Sequence, residues 1–300
     1  MNILVSGSHG LIGSAVVEAL AAEGHTVRRL VRHGAGAGGV AWDPEEGTMD
    51  EAALAGGGGV EGVVHLAGAG VGDKRWSDDR KVLIRRSRVE ATLGLCEALG
   101  RMATPPKVMV SGSAVGWYGD RGAEVLTEES HGGSGFLAEV CRNWEAATAP
   151  AAEAGVRVVN VRTGIVMSPN GGALKKQLSL FRFGLGGKLG NGKQYSSWVS
   201  IDDEVGAIVH ALGSETLHGP VNVTAPEPVT AGELARVLGS VLRRPAVLPV
   251  PRLALSTVLG GELAGELLAS QRVLPARLTA DGYEFCHPDL EGALRALLGR

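Results

Sequence analysis

Three glycines, Gly7, Gly10 and Gly13, follow a short apolar run (Ile3 to Ser6) and open an Ala/Val/Leu segment, Gly13 to Glu23. This G-x-x-G-x-x-G spacing between a strand and a helix constrains the fold more than any other feature. A bend there needs backbone without Cβ, and it leaves main-chain N–H groups bare at a helix N-terminus. Such amides, aided by the helix dipole, suit a pyrophosphate. Gly24 ends the helix and Thr26 to Val31 reads as a second strand. Strand, turn, helix and strand within about thirty residues make a right-handed βαβ unit, the opening of a dinucleotide-binding sheet.

The alternation continues. Val60 to Leu66, Lys107 to Ser111 and Val156 to Arg162 read as strands, with helices over Asp79 to Ala98 and Gly135 to Ala154. Gly56 to Gly59 reads as a surface turn, and residues 170 to 197 as a long irregular, glycine-rich segment. Asp203 to Leu212 follows as a helix and Val221 to Thr224 as a strand; the tail reads as helices Ala231 to Leu242, Arg252 to Leu268 and Leu290 to Leu298. Apolar residues make up 44% but aromatic ones only 4%, so the core is built from Val, Leu, Ala and Ile, as in a parallel sheet covered by helices. The expected fold is α/β: a Rossmann-type doubly wound parallel sheet with a smaller, mainly helical C-terminal cap on the substrate side. Residues 1–165 are assigned to the cofactor-binding core, 166–245 to mixed core and substrate-side segments, and 246–300 to the C-terminal helical domain.

Net charge is −3 with no basic tract, so nucleic acid is not an expected partner. Cys96, Cys141 and Cys286 lie far apart without metal-ligand spacing, which predicts no metal and a reducing, cytoplasmic setting. The first apolar run is too short to span a bilayer and lacks a basic leader, so no membrane partner is expected. The expected partner is a small-molecule substrate, and a homodimer is compatible with the sequence.

The second strand carries the cofactor choice. An NAD site would place Asp or Glu about twenty residues beyond the glycines, against the ribose 2′-hydroxyl. Val27-Arg28-Arg29-Leu30-Val31-Arg32-His33 contains no acid, and Arg32 ends the strand where a 2′-phosphate would sit. A guanidinium pairs bidentately with phosphate, so NADP(H) is favoured. The alternative is a solvated arginine on an edge already made basic by Arg28 and Arg29.

Several motifs together resemble the extended short-chain dehydrogenase/reductases, and more narrowly an atypical epimerase-like group with a C-terminal domain of unknown role. They are Val5-Ser6-Gly7-Ser8-His9-Gly10-Leu11-Ile12-Gly13, His65-Leu66-Ala67-Gly68, Arg162-Thr163-Gly164-Ile165-Val166, the run from Gly184 to Asp203, and Ser270-Gln271-Arg272-Val273-Leu274-Pro275. The resemblance spans essentially the whole chain. It implies a seven-strand core and an NADP(H) site in which Leu66, Ala67, Gly68, Arg88 and the backbone near Val166 join the glycine loop.

It also implies hydride transfer assisted by a Tyr, a Lys four residues on and a Ser. Ser113, in Ser111-Gly112-Ser113, aligns with the substrate-positioning serine. Counting back from Glu145, the Lys position is Cys141 and the Tyr position Leu137, so neither usual group is present. Tyr118 is the first candidate for a replacement proton donor, set against a packing role with its hydroxyl at the surface. Tyr195, Lys193, His131 and Cys141 are weaker candidates, and His65 reads as a core histidine. Two classes of function remain open: an NADP(H)-dependent oxidoreductase or epimerase on a small carbonyl or sugar-like substrate, and a non-catalytic NADP(H)-binding redox sensor or assembly factor.

Overall fold

The computed structural model describes residues 1–32, 39–44, 48–56 and 58–300. In chain order it begins with β1 (Asn2–Ser6), α1 (Leu11–Ala22), β2 (Thr26–Val31), β3 (Gly39–Asp43), β4 (Thr48–Met49), α2 (Glu51–Ala55), β5 (Gly62–His65), α3 (Asp78–Arg86), α4 (Val89–Gly100) and β6 (Val108–Ala114). A 3-10 turn, Val115–Tyr118, leads to β7 (Val125–Leu126), α5 (Phe136–Ala146), α6 (Ala149–Glu153), β8 (Arg157–Thr163), β9 (Ile165–Met167), α7 (Gly172–Arg182), β10 (Tyr195–Ser196), β11 (Trp198–Ser200) and α8 (Ile201–Gly213). The remainder is β12 (Gly219–Val223), β13 (Val229–Thr230), α9 (Ala231–Leu242), α10 (Arg252–Leu259), α11 (Gly261–Leu267), β14 (Arg272–Val273), α12 (Ala276–Ala280) and α13 (Leu290–Leu298).

Among the described residues the main sheet runs β12-β8-β6-β5-β1-β2-β3-β4. Every pairing in it is parallel except the short β3–β4 edge. Ile3, Leu4 and Val5 are fully buried because β1 is central and covered on both faces. On one face Ile3, Val5 and Val64 pack with Val16 and Leu20 of α1 and Ile208 and Ala211 of α8. On the other, Leu4, Val63 and Met109 pack with Leu95 and Leu99 of α4 and Ala151 of α6. The strand order reverses between β1 and β5, and a doubly wound sheet binds its ligand beyond the carboxyl ends of the strands at that point.

A third cluster joins Leu174, Leu178 and Phe181 of α7, Trp198, Leu234 and Leu238 of α9, and Leu290 and Leu294 of α13. The C-terminal region is tied back by Asp203, whose buried carboxylate accepts from the Cys286 and His287 amides at 2.6 and 3.0 Å.

The expected long helices are broken. Asp79 to Ala98 divides at Ser87–Arg88, where the Ser87 hydroxyl donates to Ile84 O and accepts from the Ala69 amide. Gly135 to Ala154 divides ahead of Pro150, and Arg252 to Leu268 divides at Gly260 (φ 89°). The segment 170–197 is not wholly irregular, since α7 occupies its first part. Its glycines serve close packing: a Cβ on Gly187 would fall 1.8 Å from the Leu248 carbonyl oxygen. Gly57 of the expected Gly56 to Gly59 turn lies outside the described residues, as does His33 of the basic strand end.

Candidate functional site

At the β1–α1 junction Gly7 has φ +67°, and a Cβ there would sit 2.7 Å from the Leu66 carbonyl carbon and oxygen. A Cβ on Gly13 would lie 2.2 Å from Gly7 O. The loop is therefore wedged against the end of β5, and only hydrogen fits at either position. Gly10 caps α1 without any side-chain hydrogen bond, and the first turn contains no acid. The Leu11, Ile12 and Gly13 amides are thus left for an outside acceptor, at the positive end of the helix. The Ser8 hydroxyl is buried without a partner, an orphan that a bound phosphate oxygen would satisfy.

These residues open onto a cavity of about 830 Å³. Its walls include Gly7, Ser8, His9 and Gly10 on one side, Leu66, Ala67 and Gly68 on the other, and Arg32 and Arg86 at the rim. Val82 and Leu83 of α3, both largely exposed, give it an apolar flank beside Val31 and Pro44. Arg28 does not share the rim. It is buried and donates to the carbonyls of Ala53, Leu54 and Gly56 at the end of α2, so the edge is less basic than its sequence suggests.

The floor is fixed by a buried chain. Ser6 Oγ accepts from the Leu66 and Ala67 amides at 3.2 and 3.3 Å. Its proton goes to His65 Nδ1 at 2.7 Å, which leaves His65 Nε2–H to donate to Thr92 Oγ1 at 2.9 Å. Burial lowers the His65 pKa to about 4, so the ring is neutral, as a core histidine should be. Arg88, at the break between α3 and α4, donates to Ala69 O at 2.9 Å and lies against Gly68 and over the Trp144 ring. Val166, in β9, stands beside the Gly171–Gly172 turn, where a Cβ on Gly171 would lie 3.0 Å from the Leu11 side chain.

Ser113 stands outside the lining of that cavity, at the end of β6, where its Oγ donates to Glu145 Oε1 at 2.7 Å. Arg162 holds that carboxylate through Nε and Nη2, both at 2.8 Å, and stacks 3.7 Å from the Trp117 ring centroid. Tyr118 is completely buried, contrary to a packing role with the hydroxyl at the surface. Its hydroxyl donates to Asn222 Oδ1 at 2.7 Å and lies 3.0 Å from Thr127 O, and it accepts from Arg162 at 3.1 Å. Burial raises its pKa. The structure thus joins Ser113 and Tyr118 through Glu145 and Arg162, but Tyr118 acts there as a strut with its partners already taken. The sequence signal for this network was weak, because its members lie tens of residues apart.

α5 contains neither Tyr nor Lys. Leu137 packs toward Gly116, and burial pushes the Cys141 thiol up to about 12, so it is protonated at neutral pH. His131 is exposed and contributes only its carbonyl, to Arg121. Tyr195 is half-buried under Arg272, while Lys193 lines a separate cavity of about 670 Å³ with Asp120, Asn191 and Arg252. The cap meets the core nearby: Lys81 pairs with Glu262 at 2.9 Å, and Glu266 accepts from the Leu137 amide at 3.5 Å.

Residues 3–223 match the NAD dependent epimerase/dehydratase family, and residues 250–297 match a domain of unknown function. The chain belongs to the NAD dependent epimerase/dehydratase family. Among its relatives is an epimerase family protein of Mycobacterium leprae, 41% identical over 97% of this chain and 94% of that protein. The human epimerase family protein SDR39U1 is 35% identical over 99% of this chain and all of that protein. The crystal structure of that human protein (isoform 2) with NADPH matches with a TM-score of 0.92 at 34% identity, covering 100% of this chain and 99% of that one. A Corynebacterium glutamicum nucleoside-diphosphate sugar epimerase matches at 0.82 and 38% identity, covering all of this chain but 58% of that one. Family membership and fold support nicotinamide cofactor binding. No helix among the described residues is long and apolar enough to cross a membrane.

Proposed function

We propose that this protein is an NADP(H)-dependent oxidoreductase or epimerase acting on a small carbonyl or sugar-like substrate. The observation that carries the reading is the uncapped N-terminus of α1, with the orphaned Ser8 hydroxyl beside it and Arg32 on the same cavity wall. In this reading the loop from Gly7 to Gly13 receives the pyrophosphate, Val82 and Leu83 flank the adenine, and Arg32 meets the 2′-phosphate, with Arg86 on the same wall held by Glu90 at 2.8 Å. Leu66, Ala67, Gly68, Arg88 and Val166 line the remaining length. A human relative solved with NADPH, of nearly identical fold, supports the choice of NADP(H).

When bound, the cofactor supplies or accepts a hydride. The protein's part is binding and orientation, which alone contribute about 7–11 kcal/mol in well-aligned reactions. Ser113 has its proton committed to Glu145, so its lone pairs are left to receive a substrate hydroxyl. No tyrosine–lysine pair stands on α5, so proton transfer falls to water or to a group of the substrate. The same absence favours a second reading, in which the protein senses the cofactor's redox state without turnover. Purified protein is to be incubated with NADPH and a panel of carbonyl compounds. Oxidation of NADPH that disappears in Ser113→Ala supports the enzyme; tight binding with no turnover, and capture of a partner in one redox state only, overturns it.

A further inference from the structure

Two stretches of this chain carry basic residues and no acid at all. Between Gly171 and Ser200 stand Lys175, Lys176, Arg182, Lys188 and Lys193; between Leu234 and Gly261 stand Arg236, Arg243, Arg244 and Arg252. Nine positive side chains in two stretches with no acid between them are unexpected in a chain of net charge −3.

The fold brings the two stretches together. The Leu248 amide donates to Gly186 O at 3.3 Å, the Val250 amide to Lys188 O at 2.9 Å and the Gly190 amide to Val250 O at 3.0 Å. Arg244 Nε donates to Arg182 O at 3.0 Å, and Gly184 packs on Pro245. The two segments and the end of α7 expose Phe183 (82%) and Val247 (76%), with Leu180, Leu185 and Leu248, and the following α10 exposes Leu253 (78%) and Val258 (73%). α10 has no buried residue. Arg182, Lys188, Arg243 and Arg252 are exposed and form no ion pair among the described residues.

We propose that this rim, formed by the end of α7, the paired segments 184–190 and 244–250, and α10, docks the protein on an anionic bilayer surface. Apolar side chains that project singly at this exposure enter the headgroup boundary, and the surrounding cations meet the acidic headgroups. Charge complementarity selects the occupant: residues 180–190 and 244–260 carry basic side chains and no acid, so two copies repel each other across this rim, although Asp120 shares a cavity with Arg252 at its edge. A single-stranded nucleic acid would instead call for aromatic stacking platforms, and Phe183 is the only exposed aromatic residue on the rim; a duplex, bound through its phosphates, gives the projecting apolar side chains nothing to enter. Docking of this kind needs no spanning helix.

The test is co-sedimentation of the full chain with phosphatidylcholine vesicles, with and without phosphatidylglycerol, at low and high salt. The expected result is binding only to the anionic vesicles, weakened by salt. Each basic side chain at such a surface contributes about fivefold in partitioning. Arg182→Glu combined with Arg252→Glu is therefore expected to reduce binding at least tenfold, and Phe183→Ser combined with Leu253→Ser to reduce it without altering its salt dependence. All these positions are exposed, and thermal melts with and without NADPH verify folding independently. Equal binding to neutral and anionic vesicles, no binding to either, or variants that bind like the parent overturn the proposal. So does a change in self-association of the Phe183/Leu253 variant, measured by light scattering, because it would assign the rim to a second copy.

Discussion

Three glycine-to-alanine substitutions separate backbone conformation from close packing in this fold. Gly94 lies within α4 at ordinary helical angles, with nothing within 4 Å of an added Cβ. Gly94→Ala is expected to stabilise by about 0.5–1 kcal/mol, the usual gain of alanine over glycine inside a helix. Gly24 has φ +81° and equally open space, so Gly24→Ala carries only the left-handed cost, about 1–2 kcal/mol. Gly7 combines φ +67° with backbone contacts at 2.7 Å to Leu66 and 2.9 Å to Ala67 N. That peptide cannot retreat freely, because Ser6 Oγ, itself held by His65 and Thr92, accepts from the Ala67 amide within it and from the Leu66 amide before it. Adding an overpacking cost of about 1–3 kcal/mol brings Gly7→Ala to roughly 2–5 kcal/mol. Urea denaturation of the four proteins, read as midpoint shifts at constant slope, gives the order directly. If Gly7→Ala proved no worse than Gly24→Ala, the loop would not be wedged against β5, and the pyrophosphate cradle argued above would lose its geometry.

Arg32→Asp is expected to weaken NADPH binding by about 10–150-fold, the value of a charged hydrogen-bonded pair of roughly 1.5–3 kcal/mol, while NADH affinity changes little; equal losses in calorimetric titrations would remove Arg32 from the 2′-phosphate. Glu145→Gln leaves the buried Arg162 guanidinium without its counter-ion and is expected to destabilise by about 3–5 kcal/mol, whereas Glu291→Gln, in a half-exposed pair with Arg295, should change less than about 1 kcal/mol. Chemical denaturation checks both. Glu204 is buried with one oxygen unpartnered, and burial raises its pKa from 4.5 to about 8. The folded state therefore holds an extra proton between those values, so this group's stability contribution is full below pH 4.5 and is lost as pH rises toward 8. His65, shifted down, acts with the opposite sign only between about 4 and 6.5. Above pH 6.5 the opposing His65 effect is exhausted: stability should fall by roughly 2 kcal/mol by pH 8 through Glu204, and Glu204→Gln should flatten that slope in denaturation curves across the range.

The parts of the fold legible in the sequence were those with local causes. β2, α9 and α13 have the boundaries expected from periodicity and their flanking residues. In α9 a Thr230–Glu233 capping box marks the start. The breaks at Pro150 and Gly260 also carried local signals that a longer periodic reading overrode. α7 was hidden between glycines, although Leu174, Leu178 and Phe181 fall at helical spacing and are all buried. The break at Ser87–Arg88 has no Gly or Pro. It follows from tertiary bonds to Ala69, which no local pattern contains.

At the site the asymmetry is similar. That the glycine loop, Arg32 and the Leu66–Gly68 strand end share one cavity was readable, because a close backbone approach and a strand terminus leave marks in sequence. The roles of Glu145, Arg162 and Tyr118 were not, because a buried network depends on side chains meeting across β6, α5, β8 and β12. Arg28 shows the converse, since a charge that looked available proved to be spent on the α2 carbonyls.

Calorimetric titration of the folded protein with NADPH and, in parallel, NADH addresses the cofactor assignment most directly. One saturable site per chain, tighter for NADPH and lost in Gly7→Ala at a temperature where that variant remains folded, is the predicted result. Heat of dilution alone for both nucleotides would contradict it.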